Sequence, residues 1–297
     1  MAGQRAVIVT EMKLILSRKG FDSSAGGVPS PIFPDGRMLS LPIPDKRSPI
    51  HYDAIKYEGE SIAPLVSSLT RGRIKPHYGA HFDPDLSIES LPRFDGWRPI
   101  FGQTGASQGH LCKNGVQPGD LFLFFGFFRR TTFANGKYAW LKGSRPIHAI
   151  WGWLQIGEIL PVDIGKGRLY DWAMYHPHCY WDPDKNNFLY ISSSDLSLGR
   201  VVIEDIGGAG TFPRFSATRQ LTAPSASNPS LWKLPEWFFP RKGRRPLTYH
   251  SDMGRWRTTG DGTELRTAGR GQEFILDCDE YPETFSWLSQ LIKTDYS

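Results

Sequence analysis

The hydrophobic pattern of the chain is densest at residues 119–130, where an unbroken run of leucine and phenylalanine is opened by Gly119-Asp120 and closed by Arg129 and Arg130. An apolar run of strand length without polar alternation predicts a strand covered on both faces, and so one that lies in a core. A second run, at residues 149–160, carries Trp151 and Trp153 on either side of Gly152. It then alternates imperfectly through Leu154, Ile156, Glu158 and Leu160. That pattern predicts a neighbouring strand with one wetter face. Shorter stretches predict strands at residues 12–17, 38–43, 187–192 and 273–277. Helical spacing appears at residues 62–69 and more clearly at 282–293, where Phe285, Leu288, Leu291 and Ile292 share one side.

Between these stretches the chain is loop-rich, with 31 glycines, 23 prolines and 13% aromatic residues. This predicts many short strands and long ordered loops instead of a helical bundle. No internal repeat and no linker stands out, so residues 12–297 read as a single compact α+β domain. Its centre is expected to be a mixed or barrel-like curved β-sheet with a few flanking helices, and residues 1–11 read as an N-terminal extension. A hydrophobic fraction of 39% against 22% charged excludes general disorder. The net charge of +5 permits a polyanionic partner without requiring one. Cys112, Cys179 and Cys278 are odd in number and far apart, which argues against a disulfide framework and fits a reducing cytoplasm. No apolar run approaches membrane-spanning length, so no membrane partner is expected.

Candidate chemistry is concentrated in the loops. His81-x-Asp83-x-Asp85 places three ionisable groups within five residues, and on an extended backbone alternate side chains share a face. As a metal site, with Asp83 and Asp85 as ligands, this oxygen-rich set suits magnesium or manganese; as a turn, its aspartates cap backbone amides. Asp22, beside Arg18 and Lys19, reads either as a base or nucleophile or as part of a loop salt bridge and Asx-turn. His176-Pro-His178 supplies two ligands, an acid/base pair or two structural imidazoles. No His-Glu-x-x-His pattern exists, which disfavours a zinc hydrolase. Gly105-x-Ser107-x-Gly109 with His110 matches the nucleophile-elbow pattern. The Asn114-Gly115 turn leaves no evident room for the helix that motif requires, so serine hydrolysis is disfavoured. The glycines of 207–210 match neither a Walker loop nor a dinucleotide fingerprint. Arg270, Gln272 and Glu273 can read a base edge or form a β-turn. Around them, basic groups interleave with Trp232, Trp237, Phe238 and Trp256, which suits base stacking or an aromatic core beneath a basic loop.

Several of these segments resemble the nucleotide modification associated domain family, third type: Arg18-Lys-Gly-Phe-Asp22-Ser, Pro29-Ser-Pro-Ile, His81-Phe-Asp83-Pro-Asp85-Leu, Gly119 to Gly126, and Arg270-Gly-Gln-Glu273-Phe. The resemblance implies a bacterial or phage setting beside DNA base modification systems, and a context without a settled reaction. The middle third is also similar to pseudouridine-synthase-associated (PUA-like) barrels, which implies a binding module. The leading expectation is an enzyme acting on a base or nucleotide, with Asp22, His81, Asp83 and Asp85 as the catalytic set. Arg18, Lys19, Gln103, His110, Trp151, Trp153, His176, His178, Arg270, Gln272 and Glu273 are its expected substrate contacts. The alternative is a non-catalytic reader of modified bases built on Trp151, Trp153 and Trp237. A third class, a metabolic enzyme for an anionic small molecule, draws only on the Arg18 loop. The expected partners are nucleic acid or nucleotide and other DNA-modification proteins, in a phage-defence setting.

Overall fold

In the computed structural model, which describes residues 12–162, 169–181, 184–241, 243–269 and 273–293, both apolar runs become long strands of one nine-stranded sheet. Its members are β1 (Lys13–Arg18), β2 (Ser30–Ile32), β3 (Ile100–Gln103), β4 (Leu121–Ala134), β5 (Lys137–Trp140), β6 (Ile147–Pro161), β7 (Phe188–Ser192), β8 (Ala209–Thr211) and β9 (Glu273–Asp277). The order is β9-β1-β4-β6-β7-β3, with β2 and β5 also paired to β4 and β8 to β6. β4 runs parallel to β1 and β2, and the remaining pairings are antiparallel. Residues 1–11 lie outside the described residues.

The unbroken apolar character of β4 follows from burial on both sides. Leu121, Leu123 and Phe125 point into one core with Leu14, Leu16, Trp153 and Phe274, while Phe122, Phe124 and Phe128 point into another with Phe101, Leu154 and Tyr190. In β6 the register against β4 shifts between Ile150 and Gly152, so Trp151 is an inserted residue. Side chains alternate along a strand, and an insertion reverses the alternation. Trp151 therefore enters the second core and Trp153 the first. The first core is covered by helix α3 (Glu283–Lys293) and by a three-stranded sheet of Leu231–Leu234, Gly262–Arg266 and Trp256–Thr259. Helix α1 (Ala63–Leu69) packs in a separate cluster with Phe21, Leu41 and Tyr52.

Three features differ from expectation. The sheet does not close: β9 and β3 end its path without pairing to each other, so the closed barrel that the PUA-like likeness implied does not form among the described residues. The sheet curls far enough, however, for Gln103 at the end of β3 to donate to Glu273 at the start of β9. The strand expected at residues 38–43 shrinks to Ile43–Pro44, paired with Ala80–His81, because Pro42 and Pro44 have no amide to donate. Helix α2 (Gly105–Lys113) occupies the segment where no helix was expected. It buries only Gln108 and Leu111, and so carries no apolar stripe for a periodicity argument to find. Among the described residues, no helix is long and apolar enough to cross a membrane.

Candidate functional site

The Ala80–His81 strand ends in a tight curl, in which Phe82 N donates to Ala80 O and Asp83 N to His81 O. The backbone is therefore not extended through this motif, and His81, Asp83 and Asp85 do not share one face. His81 and Asp83 meet instead, with His81 Nε2 3.6 Å from Asp83 Oδ2. His178, in the one-turn 3-10 helix Pro177–Tyr180, brings its Nε2 to the same oxygen at 3.6 Å. The other carboxylate oxygen is already engaged: Asp83 Oδ1 accepts from Gly102 N (2.8 Å) and from His176 Nε2 (3.2 Å). The Asp83, His81 and His178 side chains are only 4%, 8% and 3% exposed.

The partners of the outer ring nitrogens fix the tautomers. Asp45 can only accept, so His81 Nδ1–H donates to Asp45 Oδ2 (3.1 Å), which also accepts from Trp181 Nε1 (3.0 Å). Asn187 Nδ2 donates to His178 O, which leaves its Oδ1 to accept from His178 Nδ1–H at 2.6 Å. His176 Nδ1 accepts from His178 N (3.4 Å), so its proton lies on Nε2, toward Asp83. Gly102 is required here for steric reasons, since a Cβ at this position would stand 2.4 Å from the His178 ring.

Burial alone would raise the Asp83 carboxyl, but the imidazoles of His176, His178 and His81 around it outweigh burial and hold the group well below the usual carboxylate range. The Asp45 carboxyl is also lowered, first by His81 and also by the Arg47 amide and Trp181. Burial opposes a charge on His81, yet Asp45 and Asp83 together raise it. Burial pushes His176 down to about 4, in accord with a neutral imidazole donating to Asp83.

Asp85, the third residue of the motif, turns into a separate network. Its carboxylate takes a two-pronged contact from Arg93 (2.6 and 2.7 Å) and a third hydrogen bond from the Tyr175 hydroxyl. Trp97 Nε1 donates to the same hydroxyl at 2.8 Å, and the Arg93 guanidinium lies 4.0 Å over the Trp97 ring. The oxygen ligand pair expected from Asp83 and Asp85 is therefore not assembled; the described groups that could hold a metal are His81, Asp83 and His178.

A cavity of about 250 Å³ adjoins this cluster, with Asp83 in its wall. Trp151, Tyr57, Phe82 and Phe212 supply aromatic surface, and Ser40, Ser87 and Glu58 supply polar groups. Trp151 is 7% exposed and stacks on Phe124 at 5.7 Å, while its buried Nε1–H has no hydrogen-bond partner among the described residues.

The other residues singled out from the sequence fall into distinct places. Lys19, Gln103 and Glu273 are brought together: Lys19 Nζ and Gln103 Nε2 both donate to Glu273 Oε1, and Lys19 also lies 4.6 Å over the Phe101 ring. Glu273 Oε2 is buried without a partner among the described residues. Asp22 makes its hydrogen bonds within its own turn, Oδ1 accepting from Ser24 N, Ser24 Oγ and Ala25 N. The charge of Arg18 acts on His148. His110 faces Thr248 and stacks on Tyr249, and Ser107 lies inside α2, not at a strand-to-helix turn. Trp153 is fully buried with its Nε1 on Gly207 O, and Trp237 packs against Phe238 and Trp287, so neither joins Trp151. Arg270 and Gln272 lie outside the described residues. Sequence reasoning missed Asp45, Trp181, Asn187 and Arg93, since single polar residues in loops carry no spacing signal; only the clustering of histidines near aspartates pointed toward the site.

Residues 13–277 match the family model described as nucleotide modification associated domain 3, and the chain belongs to that family. No curated relative and no solved structure matches the chain.

Proposed function

We propose that this member of the nucleotide modification associated domain 3 family is an enzyme acting on a nucleobase or nucleotide, with the base held in the Trp151 cavity and transformed at the Asp83 cluster. The observation that carries this reading is that Asp83 belongs to both: it lines the cavity and receives three imidazoles. The volume of about 250 Å³ falls just below that of drug-sized pockets, about 300–1,000 Å³, which suits one heterocycle better than an oligonucleotide. Aromatic walls favour stacking, and Trp151 in that wall carries a buried indole N–H without a partner among the described residues. A buried carboxylate held ionised beside such a pocket is placed to orient the neighbouring imidazoles and to stabilise positive charge on them, so that an imidazole takes or returns the proton. DNA and free nucleotides in the bacterial cytoplasm, beside other DNA-modification proteins, are the substrates and setting that fit the family.

A second reading, a non-catalytic reader of a modified base, is favoured specifically by the unsatisfied Trp151 Nε1–H, which any tightly held base could use. One experiment separates the two. Nucleosides from unmodified and modified DNA are analysed by mass spectrometry after incubation with the protein and with Asp83→Asn. A mass change lost in Asp83→Asn supports the enzyme. Unchanged nucleosides in every DNA, with binding abolished by Trp151→Ala, overturn the enzyme in favour of the reader.

A further inference from the structure

We infer that His81 Nε2, His178 Nε2 and Asp83 Oδ2 form a binding site for one divalent first-row transition ion. The site stands on geometry alone, whereas its part in turnover rests on the reading given above. Metal-binding histidines generally donate the outer ring N–H to a carboxylate, a carbonyl or an amide oxygen, and leave the inner nitrogen bare. Both imidazoles follow that pattern, His81 against Asp45 and His178 against Asn187. In its neutral form each therefore turns a lone pair toward Asp83 Oδ2, itself an acceptor, at 3.6 Å. Such an arrangement is repulsive unless a proton or a metal ion lies between the groups.

The carboxylate is divided in the same sense. Oδ1 is held by Gly102 N and His176 Nε2, which orients the group and leaves Oδ2 for an ion. The separations agree as well. Atoms that each stand about 2.1 Å from one ion lie about 3.0–3.6 Å apart, and each imidazole Nε2 stands 3.6 Å from Asp83 Oδ2. Two imidazoles and one carboxylate suit iron(II), manganese(II), cobalt(II) or zinc(II); magnesium and calcium prefer an all-oxygen shell. The Asp83–Asp85 magnesium site expected from the sequence motif is replaced by a nitrogen-richer one, because Arg93 occupies Asp85.

The test begins with the full chain stripped by chelator and titrated with Co²⁺. One equivalent should bind with a visible absorption band, Zn²⁺ should displace it, and excess Mg²⁺ should not. His178→Ala and Asp83→Ala should weaken binding at least about 100-fold, and Asn187→Leu about 10–100-fold. His77→Ala, at an exposed histidine whose ring packs edge-on against Tyr78, should leave it unchanged. The wild-type chain gives a readout that does not depend on how the variants fold: Co²⁺ in large excess should raise its melting temperature by roughly 5 °C or more. No stoichiometric uptake of Co²⁺, Zn²⁺, Fe²⁺ or Mn²⁺, or uptake that persists in both ligand variants, overturns the site. Stoichiometric binding with inert DNA and nucleotides keeps the metal site and removes the enzyme; nucleoside conversion indifferent to chelator does the reverse.

Discussion

Asp83 and Asp85 stand two residues apart, both with buried carboxylates, and their surroundings differ in kind. Asp85 meets Arg93 through both oxygens and a tyrosine hydroxyl besides, so its charge is matched and its acceptors are filled. Asp83 meets imidazoles, two of which bring their Nε2 atoms to 3.6 Å from its Oδ2. A guanidinium cannot lose its proton and closes an ion pair as finished structure. An imidazole can exchange a proton or hold a metal, so the same buried charge beside it remains available for chemistry. On the proposed function, the contrast separates an architectural aspartate from a reactive one within a single motif.

The sharpest way to break this comparison is to neutralise each carboxylate and measure unfolding by denaturant. Asp85→Ala leaves the Arg93 cation buried without its partner and should cost about 3–5 kcal/mol. Asp83→Asn keeps an acceptor for Gly102 N and His176, so it should change stability by only about 1 kcal/mol while lowering turnover at least about 100-fold. The reverse order of stabilities would dissolve the distinction.

A histidine buried away from the Asp83 cluster sharpens the contrast through pH. His148 Nδ1 accepts from Trp232 Nε1, and burial, with the charge of Arg18 adding to it, pushes the group down to about 4. With its folded value depressed, its contribution to stability is present above the unfolded value of about 6.5 and is lost as pH falls through about 4. The total is roughly 3 kcal/mol. Urea midpoints between pH 7 and 4 should therefore fall more steeply for the wild type than for His148→Gln, and equal slopes would show that the group titrates normally.

Smaller effects probe the supports. Gly102→Ala forces the His178 ring aside and should cost about 1–3 kcal/mol, with a correspondingly altered His178 resonance in NMR spectra. The smallest effect is expected from Trp151→Phe, which keeps the stacking surface and loses one donor. Affinity for the preferred base should drop by about 1 kcal/mol, read by fluorescence titration, and stability should hardly move.

The long strands were legible because burial on both faces leaves a plain signature, and α3 was legible through its single apolar side. Helix α2 was not, because it buries too little apolar surface to leave a stripe. At the site, the histidines and aspartates were visible as types, but their grouping was not. His81 and Asp83 were read as partners in an extended segment, whereas the curl at Phe82 is what joins them and turns Asp85 away. Asp45, Asn187 and Arg93 come from three other loops and acquire meaning only once the chain is folded. Lys19, Gln103 and Glu273 were each expected separately as substrate contacts, and the curl of the sheet brings all three together.

That last trio carries a mechanical consequence. Gln103, which ties β3 to Glu273, is the immediate neighbour of Gly102, whose amide holds Asp83 and whose bare Cα admits His178. The gap between the two outer strands is thus latched one residue from the Asp83 cluster. The fold's unsealed edge and the seat of the His178 ring therefore share one short stretch of backbone, and a change at the latch bears directly on the ring beside it.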